Sequence, residues 1–201
     1  MLQIKSKYKI AKRLGNQIFE QTQTQKFALS EARQKKPRGR GSKNDYGRQL
    51  LEKQKVRFTY GILEKQLANY AEAAFATKHP SQSLHLALES RLDSAAYRIG
   101  YALTRRAARQ MVSHGHLMVN GKRITTPSYR LKKGDTISVR EGSRTSTLFA
   151  HMGNPEAAVR TIPSWLSIDR STMVAKVEGE PGYSSSDIAL DYSAVFEFYS
   201  R

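Results

Sequence analysis

The chain has 201 residues, enough for one medium domain or two small ones with a real core. Lys and Arg number 34 against 17 Asp and Glu, a formal charge of +17, while 39% of residues are hydrophobic. This composition excludes a wholly disordered basic tail and predicts a folded protein whose partner is a polyanion.

No apolar run approaches the ~20 residues that span a bilayer, and Met1-Leu2-Gln3-Ile4-Lys5 lacks the apolar core of a secretory signal. A soluble, cytoplasmic protein is expected. The absence of cysteine rules out a disulfide framework, a thiolate zinc site and a cysteine nucleophile together. The charge is unevenly placed. Residues 1–60 hold 16 Lys/Arg against 4 Asp/Glu, and residues 91–140 hold 11 against 2, whereas 61–90 and 141–201 are slightly acidic. Two separated cationic surfaces suit an extended anion gripped in two places.

The first block carries Lys5, Lys7, Lys9, Lys12 and Arg13 among Tyr8, Ile10 and Leu14, a mixture that permits a short helix ending at Gly15. Gln34 to Lys43 reads QKKPRGRGSK, cations spaced by Pro37, Gly39 and Gly41. Such a stretch cannot pack a core and reads either as a ligand-ordered strap or as a solvated linker. It is not a phosphate loop, since no strand precedes the glycines and the GxxxxGK[ST] spacing is missing.

Asn44 or Asp45 can cap a helical stretch, and apolar residues at helical spacing predict helices over 46–59, 62–77 and 81–89, with a break at Gly61. From Arg91 to Arg140 the signals are sharper. Leu92, Ala95, Ala96 and Ile99 share one helical face, and Gly100 supplies a left-handed stop. Thr104 can cap a second helix that buries Ala107, Ala108, Met111 and Val112. Asn120-Gly121 between two β-prone runs predicts a type I′ hairpin that pairs Val119 with Lys122 and Leu117 with Ile124. Lys133-Gly134-Asp135 is a second turn, and Ile137 and Val139 alternate along a strand. Two helices and a small twisted sheet make a compact α+β module. Beyond it, 141–154 is polar and helix-compatible, Trp165 to Ile168 reads as a short strand, and Ala194 to Tyr199 as a terminal strand. There is no internal repeat.

The second helix opens Thr104-Arg105-Arg106. Cations in a first turn oppose the helix dipole, unless an anion binds there and meets both the free N–H groups and the guanidiniums. Arg109 follows one turn after Arg105 and Ser113 one turn later, and Arg91 and Arg98 lie seven apart on the preceding helix. Five arginines beside a tight hairpin favour phosphate binding over a set of unrelated solvated cations. His114-Gly115-His116 is a poor metal pair, lacking helical ligand spacing and a completing carboxylate, and is read as contacting RNA backbone or capping carbonyls. Asp93 and Asp135, the only acids here, suit arginine pairing and turn formation rather than acid–base catalysis. With Asn120, Lys122, Arg123, Lys132 and Lys133, the five arginines, Ser113, His114 and His116 make up the candidate RNA-binding set.

Ser90-Arg91-Leu92-Asp93, Tyr97-Arg98, Gly100, the run from Ala107 to His116, and Val119-Asn120-Gly121 together resemble the RNA-binding module named after small-subunit ribosomal protein S-four. Asp45-Tyr46-Gly47, Leu51 to Arg57, Tyr60-Gly61, Pro127-Ser128-Tyr129, Trp165-Leu166 and the ending Glu197 to Arg201 narrow the resemblance to that ribosomal protein family, in its bacterial, cysteine-free form. The likeness runs in order from Asp45 to the end.

The resemblance implies a mostly helical domain (45–90 with 141–201) into which the α+β module (91–140) is inserted, after a basic extension (1–44). It implies direct binding of small-subunit rRNA early in assembly, a place beside the mRNA entry path and small-subunit proteins five and three, and a contribution to decoding accuracy. No enzymatic activity and no cofactor are implied. Lys5, Lys7, Lys9, Lys12, Arg13, Arg38, Arg40 and Lys43 would then face RNA or mRNA. Without the four zinc-binding cysteines of some relatives, the first 44 residues are expected to owe their order to RNA. The same module is appended to pseudouridine synthases and tyrosyl-tRNA synthetases, but the 61 residues after Arg140 are too few for such a catalytic domain. A free RNA-binding regulator or stress protein is the other alternative.

Overall fold

In the computed structural model, which describes residues 4, 6–33, 44–153, 161–184 and 190–201, the chain divides into two compact units. Met1–Leu84 and Ser184–Arg201 form one, and His85–Tyr183 the other. Lys5 and the strap at 34–43 lie outside the described residues.

The first unit is helical. α1 (Lys7–Leu14) ends at Gly15, whose φ of 116° suits a residue without a Cβ. α2 (Gln25–Ala32) follows two short 3-10 turns. Ala11, Leu14, Ile18, Phe19 and Phe27 gather into a small core, with Leu51 and Phe58 of α3 (Asp45–Tyr60) packed against it. The N-terminal stretch thus has a protein-made core over residues 6–33, which corrects the expectation that RNA alone orders it. Its apolar residues are sparse among the cations, and only packing on α3 reveals them as one cluster.

Gly61 stops α3 in the left-handed region, and α4 (Glu64–Phe75) follows. The end of the chain is α8 (Tyr192–Tyr199), not the expected strand. Asp191 caps it by accepting from the Ala194 N–H at 3.1 Å. Tyr192, Val195, Phe196 and Tyr199 fall at helical spacing, and α8 packs along α3 and α4. A short apolar run is ambiguous between strand and buried helix, and here the neighbouring helices decide.

α5 (Pro80–Glu89) leads into the second unit, where α6 (Leu92–Ile99) and α7 (Arg105–Ser113) are separated by Gly100, left-handed at φ 92°. β1 (Leu117–Val119) and β2 (Lys122–Arg123) pair as expected, with Val119 opposite Lys122 and Ile124 N–H donating to Leu117 O at 3.3 Å. Asn120 and Gly121 both have positive φ, 50° and 76°, as a type I′ turn requires. β3 (Thr136–Val139), β4 (Leu166–Asp169) and β5 (Val174–Val177) complete an antiparallel sheet in the order β2-β1-β3-β5-β4.

β5 is the strand that the sequence reading missed. It sets Ala175 opposite Ile137 of β3, so β4 and β5, both beyond residue 140, share the sheet of the module. The compact units therefore divide after Leu84 and Tyr183, rather than at the expected 90 and 140. Leu92, Ala96, Met111, Val112, Ile137 and Val177 are buried in one core. Two departures are smaller. Residues 141–143 and 147–153 form 3-10 turns in place of the expected helix. Ala107 is exposed, because the buried stripe of α7 is Ala108, Met111 and Val112 alone.

Candidate nucleic-acid interface

Two carboxylates organise the arginines of the second unit. Asp93, in the first turn of α6, accepts from Arg91 Nε at 2.9 Å and Nη2 at 2.7 Å, and from Arg109 Nη1 at 3.2 Å. Glu89, at the end of α5, accepts from Arg98 Nε and Nη2 at 2.8 and 2.9 Å, and from Arg105 Nη2 at 3.0 Å. Both acids are buried, and Arg105 also stacks over the Tyr97 ring at 4.6 Å. Four guanidiniums on two carboxylates leave a surplus of positive charge while tying α5, α6 and α7 together.

This arrangement separates the expected phosphate grip into two groups. Arg91 is 1% exposed and cannot reach an external phosphate, which corrects its place in the candidate set. Arg105 and Arg109 are largely enclosed by their carboxylate partners, and Arg98 is more open, its side chain 38% exposed. Glu89 supplies the anion that the first-turn Arg105 needs, so the cation there does not await an external one. Arg106 stands apart: it is exposed, and forms no ion pair among the described residues. Sequence reasoning missed Glu89, which sits just outside the segment where the arginines cluster.

The hairpin and turn supply the second set of cations. Lys122, Lys132 and Lys133 are exposed, as is Arg130, a further cation of this loop that the sequence reading left out. Asn120 braces the two loops: its Nδ2 donates to Asp135 Oδ1 at 2.8 Å, and its Oδ1 accepts from Thr136 N–H at 2.9 Å. Arg123 caps the end of α7, donating to His114 O at 2.9 Å and Gly115 O at 3.2 Å. Ser113 Oγ donates to the Arg109 carbonyl at 3.0 Å, within its own helix. His114 is exposed, while His116 Nδ1 lies 3.0 Å from Ser143 Oγ. Burial, His114, Arg140 and Arg123 together hold the His116 imidazole below its ordinary pKa.

On the first unit, Lys9, Lys12 and Arg13 are exposed along α1, and Lys7 Nζ donates to Gln21 Oε1 at 2.7 Å. Arg38, Arg40 and Lys43, like Lys5, lie outside the described residues.

Known proteins share this sequence over most of its length. The S4 domain model matches residues 90–137, and the model of the ribosomal protein S4/S9 N-terminal domain matches residues 3–92. The small ribosomal subunit protein uS4 of Corynebacterium jeikeium is 45% identical over 166 residues, 82% of each chain. That of Roseiflexus sp. is 41% identical over 162 residues, 79% of this chain and 78% of the relative. That of Borrelia turicatae is 34% identical over 200 residues, 98% and 96% of the two chains. The chain belongs to the uS4 family. It is therefore a structural protein of the small ribosomal subunit, in a non-enzymatic family, with ribosomal RNA and ribosomal proteins as its class of partner.

Family membership retires the enzyme reading and confirms the α+β class with its S4 domain. Among the described residues, no helix is long and apolar enough to cross a membrane.

Proposed function

We propose that this uS4-family chain binds small-subunit rRNA directly through the second unit, with Arg106, Lys122, Arg130, Lys132 and Lys133 on phosphates. The supporting observation is the division of the cations just described. The ion-paired arginines make a rigid frame, and the exposed set keeps its charge and freedom for a ligand. Charge-assisted bonds from flexible, exposed Lys and Arg are the usual route to phosphate affinity. The α+β module expected at 91–140 is the binding element in this reading, carried within the second unit, His85–Tyr183.

Binding early in assembly, a position at the mRNA entry path beside proteins five and three, and a contribution to decoding accuracy follow from the resemblance and are part of the same reading. Exposed Lys9, Lys12 and Arg13, with Lys7 and the cations of the strap, would face RNA or mRNA from the first unit.

The test is filter binding of the full chain to a small-subunit rRNA transcript across a salt series. Replacing Arg106, Lys122 and Lys133 by Gln should weaken binding and flatten log K against log salt by about 0.7–0.9 for each phosphate no longer neutralised. Unchanged affinity and slope in a folded variant would overturn the assignment.

A further inference from the structure

Between α7 and the 3-10 segment at 147–153 lies a groove of about 560 Å³, a size that holds small organic ligands. Ala107, Met111 and Ala150 give it apolar walls, and Gln110, His116 and His151 add hydrogen-bonding side chains. Leu103 and Leu148, 56% and 47% exposed, also line it. His151 Nε2 donates to Gly100 O at 2.9 Å and His116 is held by Ser143, so both rings are oriented. Each ring keeps a second nitrogen that no other described residue engages. None of the lining residues is acidic, and exposed Arg106 adjoins Ala107 in α7.

We propose that this groove receives one unstacked nucleobase of the bound RNA. An apolar slot edged by amide and imidazole groups is what a splayed base needs: a surface for its face and partners for its polar edge. The positive charge beside the groove and the absence of carboxylates in its lining suit an occupant attached to a phosphate backbone. A purely apolar protein side chain would engage neither Gln110 nor the second nitrogen of either imidazole. Burial and the neighbouring His114, Arg140 and Arg123 favour the neutral form of the His116 ring, in which a ring nitrogen can accept a hydrogen bond.

The inference rests on the RNA-binding reading above, and the experiment separates the two. The full chain is bound to a small-subunit rRNA transcript, and Watson–Crick edges are probed with dimethyl sulfate and carbodiimide. Ala107→Phe fills the groove from an exposed helix position, and Gln110→Trp does so independently. Either folded variant should bind about 5- to 150-fold more weakly, the range of one stacked base, with an unchanged salt slope because no cation is removed. One nucleotide protected in the wild-type complex should become reactive.

Unchanged affinity and protection in a folded blocking variant would overturn the base site alone. So would normal rRNA binding with loss of a neighbouring ribosomal protein from reconstituted subunits, which would give the groove to a protein. Wild-type chain that fails to bind the transcript would overturn both readings.

Discussion

Arg91 and Asp93 form a two-pronged ion pair, at 2.9 and 2.7 Å, that is almost wholly withdrawn from water. The pair is two residues apart, at the very start of α6, where a carboxylate also meets the favourable end of the helix dipole. Arg109 of α7 reaches the same carboxylate, so one acid fixes the entry to α6 and the crossing of α7. A residue that looks like part of a phosphate grip in the sequence is thus an internal strut.

Asp93→Ala should destabilise the protein by about 3–5 kcal/mol, the cost of leaving a buried charge without its partner. Urea unfolding of the full chain measures it, and hydrogen exchange should show the loss centred on α6. A variant within about 1 kcal/mol of wild type would mean that Arg91 finds water in its place.

Arg105 and Arg106 are neighbours with opposite fates. Arg105→Gln removes a partner of buried Glu89 and should cost about 1.5–3 kcal/mol. Arg106→Gln should leave stability within about 0.5 kcal/mol, as exposed substitutions do. Paired unfolding curves check this contrast. At Arg105 the bond to Glu89 outweighs the opposition between a first-turn cation and the helix dipole.

His85 is buried, its ring centroid 5.6 Å from that of Tyr183, and burial lowers its pKa below the ordinary 6.5. The unfolded chain therefore takes up this proton before the folded one does. Stability from His85 is complete above pH 6.5 and is lost as pH falls through that value towards the folded pKa. Urea midpoints at about pH 8, 7, 6 and 5 should fall more steeply for wild type than for His85→Gln.

Lys53, Glu64 and Tyr199 clasp the terminal helix of the first unit. Lys53 Nζ and Tyr199 OH both donate to Glu64 Oε1, at 2.7 and 2.9 Å, and Lys53 also lies 3.9 Å over the Phe198 ring. Partial burial alone would raise the Glu64 pKa, but the bonds from Lys53 and Tyr199 bring it below the ordinary 4.5. This contribution is present above pH 4.5 and disappears as pH falls through the lowered value. Tyr199→Phe should cost about 0.5–1.5 kcal/mol at pH 7 and less at about pH 3, by urea unfolding.

Local signals in the chain were dependable where one residue's own chemistry decides the backbone. Thr104 caps α7 by accepting from the Ala107 N–H at 3.1 Å, Gly61 and Gly100 stop their helices, and Asn120-Gly121 turns the hairpin. Asp93 and Asp135 serve arginine pairing and turn bracing, as their positions suggested. Long-range partners were less legible. Val174 to Val177 needed β3 beside it to become a strand, and Ala194 to Tyr199 needed α3 and α4 to become a helix. Neither segment is long enough for its periodicity to choose.

By itself, the sequence determined the cationic character, the helices between Asp45 and Ser113, the hairpin register and the family that its motifs resemble. These follow from charge count, local propensity and turn geometry, which act over a few residues. Only the tertiary structure decided which cations are free. Glu89 and Asp93 draw Arg91, Arg98, Arg105 and Arg109 into ion pairs, while Arg106 and the loop lysines stay open to solvent. The reason is physical: a guanidinium binds whichever carboxylate the packed helices bring within about 3 Å, and sequence spacing does not carry that distance.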